Sequence, residues 1–338
     1  MVELRGRAMT AARTTASSTR SAPLVALTAY YNPFKGEHRR HNYHVFRRNI
    51  GVPLVTVEWA RDGHFDLAPG DADVMIRVEG GDLLWQKERL LNRGLAHIRR
   101  EALARDVVLI DADAVFVEPD WAARVSERLD ECAIVQAYSH VDYLPDLPHD
   151  IQTVAQLARV KRERALPSIG WAVAQGGALF NADPELVKAW AMTIIPVSGN
   201  PGMCTALRLA SLPDFELYEG NIVGGGDLVL LASSLGALDE LFAHRTYTSS
   251  HQADVRAWAQ RCLPQHVGLG CADNRLMHLW HGTMEGRQYG QRLGILPKYD
   301  YDPQIDLDRS GEALRFSGKR GDALEAAVGA YLESRHDA

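Results

Sequence analysis

Along residues 23–302, short apolar runs of strand length alternate with stretches whose apolar positions recur at helical spacing. Pro23 to Tyr31, Pro53 to Trp59 and Val74 to Val78 predict three strands. Arg39 to Asn49 predicts a helix between the first two, with Tyr43 and Phe46 on one face. Leu84, Leu91 and Leu95 predict a second helix over 83–96, with Lys87, Arg89 and Arg93 on its polar side. The strongest run is Val107-Val108-Leu109-Ile110, a buried strand ending in Asp111-Ala112-Asp113 and followed by a second apolar run, Ala114 to Val117. Pro119-Asp120-Trp121 reads as a helix start with Asp120 near its amino end. Further on, Ala133 to Tyr138 and Gly170 to Ala174 read as strands, and Pro184 to Met192 as a helix. Residues 141–168 form an excursion whose Lys161-Arg162-Glu163-Arg164 run reads as an exposed helix end. Residues 196–226 read as a long loop, and Leu228 to Leu235 as a helix beginning directly after Asp227.

This alternation predicts an α/β fold: an open, mostly parallel central sheet flanked by helices, Rossmann-like, in a single large domain. No repeat or clean boundary divides residues 23–302, and 303–338 read as a C-terminal helical extension. Residues 1–22 are Ala, Thr, Ser and Arg without apolar periodicity and read as a disordered tail. The tail has no apolar segment of the secretory kind, although its Arg and Ser content is also that of a mitochondrial targeting segment. The 46% apolar and 24% charged residues are those of an ordinary globular protein. A net charge of −6 argues against nucleic acid or an anionic membrane as partner. No apolar run approaches the roughly 18 residues of a membrane span. Cys132, Cys204, Cys262 and Cys271 lack metal-ligand spacing and read as reduced thiols in a cytoplasmic protein.

The candidate chemistry gathers at strand ends. In open α/β sheets, ligands bind beyond the carboxyl ends of the strands, where Asp111 and Asp113 fall. Two carboxylates so placed repel unless a cation lies between them, and a hard divalent cation commonly carries substrate phosphates. Asp-x-Asp also occurs at Asp71–Asp73 and Asp306–Asp308, but the former precedes its strand and the latter follows no strong one. Tyr31 and Asn32, at the end of the first strand, are candidates to cradle a nucleotide base; packing is the plainer reading of such aromatics. Lys87, Arg89 and Arg93 are candidates to reach phosphate, against the plainer reading of a solvated helix face, and Arg39 is a further candidate to bind the donor nucleotide. Gly224-Gly225-Gly226-Asp227 is either a turn with a helix cap or a carboxylate on close-approaching backbone, able to act as a general base. His278-Leu279-Trp280-His281-Gly282 offers two imidazoles, either core histidines or ligands completing a metal shell begun by Asp113.

In this order, Asp111-Ala112-Asp113 after an apolar strand, Gly-Gly-Gly-Asp at 224–227 and His-Leu-Trp-His-Gly at 278–282 resemble the metal-binding, catalytic and C-terminal histidine motifs of GT-A-fold glycosyltransferases. Asn92-Arg93-Gly94 resembles a helix that precedes the Asp pair in family 2 enzymes. The resemblance covers roughly residues 23–302. It implies a nucleotide-sugar half over about 23–135 and an acceptor half over about 136–302. It further implies a nucleoside-diphosphate sugar donor, a saccharide or other hydroxyl acceptor and Mn2+ or Mg2+ on the pyrophosphate. By that resemblance Asp113 binds the metal, and Asp111 holds ribose or the metal through water. His278 or His281 supplies a further ligand. Asp227 deprotonates the acceptor in an inverting displacement, and Trp171, Gly225 and Gly226 border the acceptor. The family's acidic motif usually reads Glu-Asp, and here Gly226 stands first. A nucleotidyltransferase on the same layout, a nucleotide-sugar-binding scaffold without chemistry, and a retaining transferase differing only in stereochemistry are the alternatives.

Overall fold

The computed structural model describes residues 22–180, 197–264, 267–283, 286–289, 291–319 and 322–335. The first half of the chain runs β1 (Ala22–Tyr31), α1 (Glu37–Asn49), β2 (Leu54–Ala60), β3 (Val74–Glu79), α2 (Lys87–Arg100) and β4 (Ala104–Ile110). It continues with β5 (Ala114–Phe116), α3 (Trp121–Leu129), β6 (Ile134–Gln136), β7 (His140–Tyr143), α4 (Val154–Leu157), β8 (Arg164–Pro167) and α5 (Ile169–Ala174). After these come β9 (Cys204–Arg208), α6 (Gly226–Ser234), α7 (Leu238–His244), α8 (Ser249–Cys262), β10 (Gly270–Cys271) and β11 (Arg275–His278). The chain closes with α9 (Ile295–Lys298), α10 (Pro303–Asp306), β12 (Leu307–Asp308), β13 (Arg315–Phe316) and α11 (Asp322–Ser334).

Seven strands form the central sheet in the order β10-β6-β9-β4-β1-β2-β3, and only β9 runs against the rest. This is the open, mostly parallel sheet flanked by helices that the GT-A resemblance implies. Its strands are apolar almost throughout because both faces are covered. Along β4, Val107 and Leu109 enter one core and Val108 and Ile110 the other; along β1, Val25 and Leu27 part from Leu24 and Ala26 in the same way. α2 lies close on β1 at Gly94, where a Cβ would fall inside the Leu27 side chain. α11 packs into the same core through Leu324, Val328, Tyr331 and Leu332. A second sheet, β5-β11-β7-β8, stands beyond the carboxyl end of β4.

Three elements differ from the sequence expectation. Gly170 to Ala174 is helical, within α5, because Ser168 Oγ caps it by accepting from Trp171 N at 3.0 Å. A five-residue apolar run cannot be assigned to strand or helix by period alone, and the cap decides. The supposed loop 196–226 contains β9, inserted between β4 and β6 in mid-sheet; Thr205, Ala206 and Leu207 are buried but carry little β-branching. Arg164 opens β8 and ends no helix. The helix expected over 184–192 lies outside the described residues.

Candidate functional site

Strand register brings the central residues together. β4 ends at Ile110, and the chain turns at once, with Ala114 N donating to Asp111 O at 3.2 Å. β5 then pairs antiparallel with β11, placing Ala114 opposite His278, and Leu279 N donates to Asp113 O at 2.9 Å. Asp113 and His278 are thus neighbours across a strand pair although 165 residues apart in sequence. His281 follows three residues later, before Gly282, whose φ of 122° suits glycine. His281 Nε2 lies 3.0 Å from Asp113 Oδ2, and His278 Nε2 lies 3.8 Å from Asp113 Oδ1. One ligand atom from each of the three residues falls within 4.8 Å of the others.

The electrostatics of this triad suit a cation. Burial alone would raise the Asp113 carboxyl, but the imidazoles of His281 and His278 outweigh it and hold Asp113 well below the usual carboxylate range. Burial keeps His278 neutral, far below its ordinary value, despite the neighbouring Asp113. Asp113 Oδ1 is buried and makes no hydrogen bond. His281 Nε2 faces Arg287 Nη2 at 2.9 Å as well as Asp113, and one ring nitrogen cannot both donate to the carboxylate and accept from the guanidinium. A carboxylate with two imidazoles is a donor set that holds divalent transition ions.

Across the cavity stands a second cluster. Lys87 Nζ, on the first turn of α2, lies 2.7 Å from Asp111 Oδ1 and 3.2 Å from Asp227 Oδ2. Burial opposes its charge, but Asp111 and Asp227 prevail and hold Lys87 well above the ordinary lysine value. Burial pushes Asp111 up to about 6 against the pull of Lys87, with Asp227 and Asp113 adding to the rise. Asp227 is the second residue of α6 and does not cap it. Gly225 holds the cap position at φ 104° after Gly224 at φ 86°, so the helix begins on two left-handed glycines. Glu88 lies buried behind this cluster, and burial pushes its carboxyl up to about 8.

Both clusters line one cavity of about 190 Å3. Of the other residues singled out from sequence, Tyr31, Arg39 and Gly225 line it as well. Tyr31 stacks on Trp59 at 5.2 Å and packs against Trp85, which also lines the cavity. Asn32, Arg93, Trp171 and Gly226 do not. Asn32 shapes the turn after β1, accepting from Gly36 N at 2.9 Å. Arg93 faces away and donates to Gly311 O at 2.7 Å. Trp171 lies beside His140 on α5. Gly226 packs on Glu88. The other Asp-x-Asp pairs are structural: Asp71 accepts from Ala68 N, Asp73 from Leu54 N and Asp306 from Asp302 N, each at 2.7 Å.

Sequence reasoning missed the cationic and aromatic part of the far wall: Arg245, Arg287, Arg292 and Arg335, with Tyr247 and Tyr289. For all but Arg335 the signal was Arg and Tyr close together at 245–247 and 287–292, two stretches without apolar aliphatic residues.

No protein-family profile matches the sequence, and no curated protein matches it. Solved structures do match in chain path. They include S. aureus TarS 1-349 in complex with UDP-GlcNAc, at 10% identity over 78% of this chain and 61% of that one, with a TM-score of 0.32. M. tuberculosis glucosyl-3-phosphoglycerate synthase matches at 12% identity over 80% and 81%, with a TM-score of 0.33. The 4-diphosphocytidyl-2C-methyl-D-erythritol synthase of Anaerococcus prevotii matches at 8% identity over 75% and 87%, with a TM-score of 0.29. The chain thus spans about three-fifths of the TarS fragment. Nucleotide-sugar and nucleotidyl transferases both stand among these neighbours, and likeness this remote carries no argument between them.

Proposed function

We propose that the protein is a metal-dependent glycosyltransferase, moving a sugar from a nucleoside-diphosphate donor to an acceptor hydroxyl with inversion. One observation carries the reading: Asp113, His278 and His281, grouped so that they could hold a cation, line the same cavity as the carboxylate of Asp227 on its glycine turn. The residues fit a metal, since Asp113 Oδ1 is buried without a hydrogen-bond partner and His278 is held neutral. Two imidazoles beside one carboxylate favour Mn2+ over Mg2+, which prefers oxygen. What the bound cation supplies is a Lewis acid for the charge that gathers on the departing diphosphate.

The chain's own residues do the remainder. Tyr31 and Trp85 offer an aromatic wall for a base at the carboxyl end of β1. Lys87 Nζ, 3.2 Å from Asp227 Oδ2, fixes that carboxylate at the cavity wall. The acceptor oxygen then attacks the anomeric carbon, the bond from that carbon to the diphosphate oxygen breaks, and Asp227 takes the hydroxyl proton. On this reading the donor half is 23–135 and the acceptor half 136–302, with Arg335 joining the cavity wall from beyond.

A thermal-shift screen of nucleoside diphosphates with and without Mn2+ tests the binding half, and stabilisation by one nucleotide only with metal is expected. For the chemistry, Asp227→Asn is expected to lower transfer about 10²-fold or more while donor affinity holds, since an amide cannot take the proton. Wild-type turnover in Asp227→Asn would remove Asp227 as the base. A wild-type protein that binds donor and transfers nothing would be a binding protein on this fold.

A further inference from the structure

The cavity wall carries six cationic side chains, Arg39, Lys87, Arg245, Arg287, Arg292 and Arg335, against three carboxylates, Asp111, Asp113 and Asp227. Lys87 is committed to Asp111 and Asp227, and Asp113 to the histidines. The arginines are therefore the excess. Arg287 and Arg39 stand on the metal side, the first 2.9 Å from His281 and the second acting on Asp113. A donor diphosphate bears one negative charge on each phosphate, and these two arginines with a cation already answer it.

Of the remaining three, Arg335 lies over the Trp85 ring, 4.7 Å from its centroid, which leaves Arg245 and Arg292. Neither pairs with a carboxylate among the described residues. Their contacts are weak: Arg245 Nη1 donates to Tyr289 O at 3.4 Å, and Arg292 Nη1 to Tyr331 OH at 3.4 Å. The Nε of each is buried without a hydrogen-bond partner. Burial, reinforced by Arg292 nearby, pushes Arg245 down to about 10. Two guanidinium groups held together and half-desolvated are unfavourable by themselves, and the Tyr289 ring under Arg292, 4.7 Å away, offsets only part of this. Their place is specific. Arg292 lies over the turn that starts α6: a Cβ at Gly224 would be 3.3 Å from its Nη1, and one at Gly225 would be 3.9 Å from its Nη2. Asp227 is two residues further on.

We propose that Arg245 and Arg292 form an anion site for the acceptor, so that the accepted hydroxyl belongs to a small phosphorylated or carboxylated alcohol and not to a neutral sugar. A guanidinium fork grips either anion in two-pronged fashion and, anchored over Gly224 and Gly225, sets the hydroxyl of the same molecule toward Asp227. The word acceptor rests on the transfer reading above; the anion site does not.

The test titrates glycerol 3-phosphate, glycerate and glycerol into the full chain by calorimetry, without nucleotide or metal, for wild type, Arg245→Gln, Arg292→Gln and the surface control Arg100→Gln. One of the anions is expected to bind and glycerol not to. Each cavity variant should weaken that binding tenfold or more, and Arg100→Gln should leave it unchanged; whether phosphate or carboxylate binds names the anion. In parallel, the affinity for a nucleoside diphosphate with Mn2+ should stay within threefold of wild type in both cavity variants. If Arg292→Gln fails to fold, Arg292→Lys, which keeps the charge and loses the fork, carries the same comparison. Anions that bind no better than glycerol would overturn the proposal. So would a tenfold loss of nucleotide affinity in Arg292→Gln with glycerol 3-phosphate binding intact, since the arginines would then hold the donor. If no nucleoside diphosphate binds the wild type, the transfer reading falls, and the anion titrations still decide the arginine site.

Discussion

Replacing Glu88 by glutamine should flatten the dependence of stability on pH. Glu88 is 4% exposed, lies on α2 beneath Gly226, and has its carboxyl raised by burial to about 8 from an ordinary 4.5. Below the unfolded value both states hold the proton, and the folded protein keeps its full advantage. Between roughly pH 4.5 and pH 8 the unfolded chain releases a proton that the folded one retains, so stability falls as pH rises; above pH 8 the loss is complete. At ~1.4 kcal/mol for each pH unit, this window corresponds to at most about 5 kcal/mol, a large part of a domain's stability. Glutamine has the same shape and fills the same space without titrating. Urea unfolding at a series of pH values, on wild type and Glu88→Gln, reads the difference. The wild type should lose several kcal/mol more than the variant between about pH 5 and pH 8, and the two should diverge most on the alkaline side. Parallel curves would mean that Glu88 is ionised when folded, with the charge of the Lys87 cluster misassigned.

Three further outcomes follow from the site. Asp113→Asn should abolish calorimetric binding of Mn2+, while Asp71→Ala, at a residue whose carboxylate accepts from the Ala68 amide, should bind it as wild type does; equal loss in both would undo the triad. His281→Ala should weaken Mn2+ more than His278→Ala, because His281 stands 3.0 Å from Asp113 and His278 3.8 Å, and the reverse order in metal titrations would exchange their roles. Gly226→Ala should destabilise the fold by about 1–3 kcal/mol by driving a methyl into the Glu88 carboxyl, and shortening Glu88 in the same chain should restore part of it; additive losses in denaturant unfolding would rule out the contact.

What the sequence made legible, and what it hid, has one physical origin. Local patterns announced themselves. Val107 to Ile110 is buried on both faces and ends at the carboxyl side of a mostly parallel sheet, so the apolar run itself puts Asp111 and Asp113 at that edge. The histidines stood out by chemistry and spacing, and the β5–β11 pairing sets His278 opposite Ala114, beside Asp113. Long-range partnerships left no such mark. Nothing near Lys87 in the chain says that its ammonium joins Asp111 to Asp227, and nothing in Cys204 to Arg208 says that it fills the gap between β4 and β6. The arginine wall escaped because each member sits in an irregular segment, where no hydrophobic period reports which way a side chain turns.

Gly226 shows how such a partnership can explain an oddity in the sequence. Read locally, it is a missing acid beside Asp227. In the fold, the space that a side chain at 226 would enter is filled by the Glu88 carboxyl, delivered from α2 across the sheet's end. Glycine at 226 and glutamate at 88 therefore act as one feature. The carboxyl reaches the cluster from a helix fixed on β1 by the close Gly94–Leu27 approach and leaves the α6 turn free to bend through two left-handed glycines. A Cβ at 226 would force Glu88 aside, and a charged side chain there would add a third carboxylate against Asp111 and Asp227 with only Lys87 to balance them. Burial raises the Glu88 carboxyl, and the chain supplies this third acid of the cluster from a helix where it can stay buried.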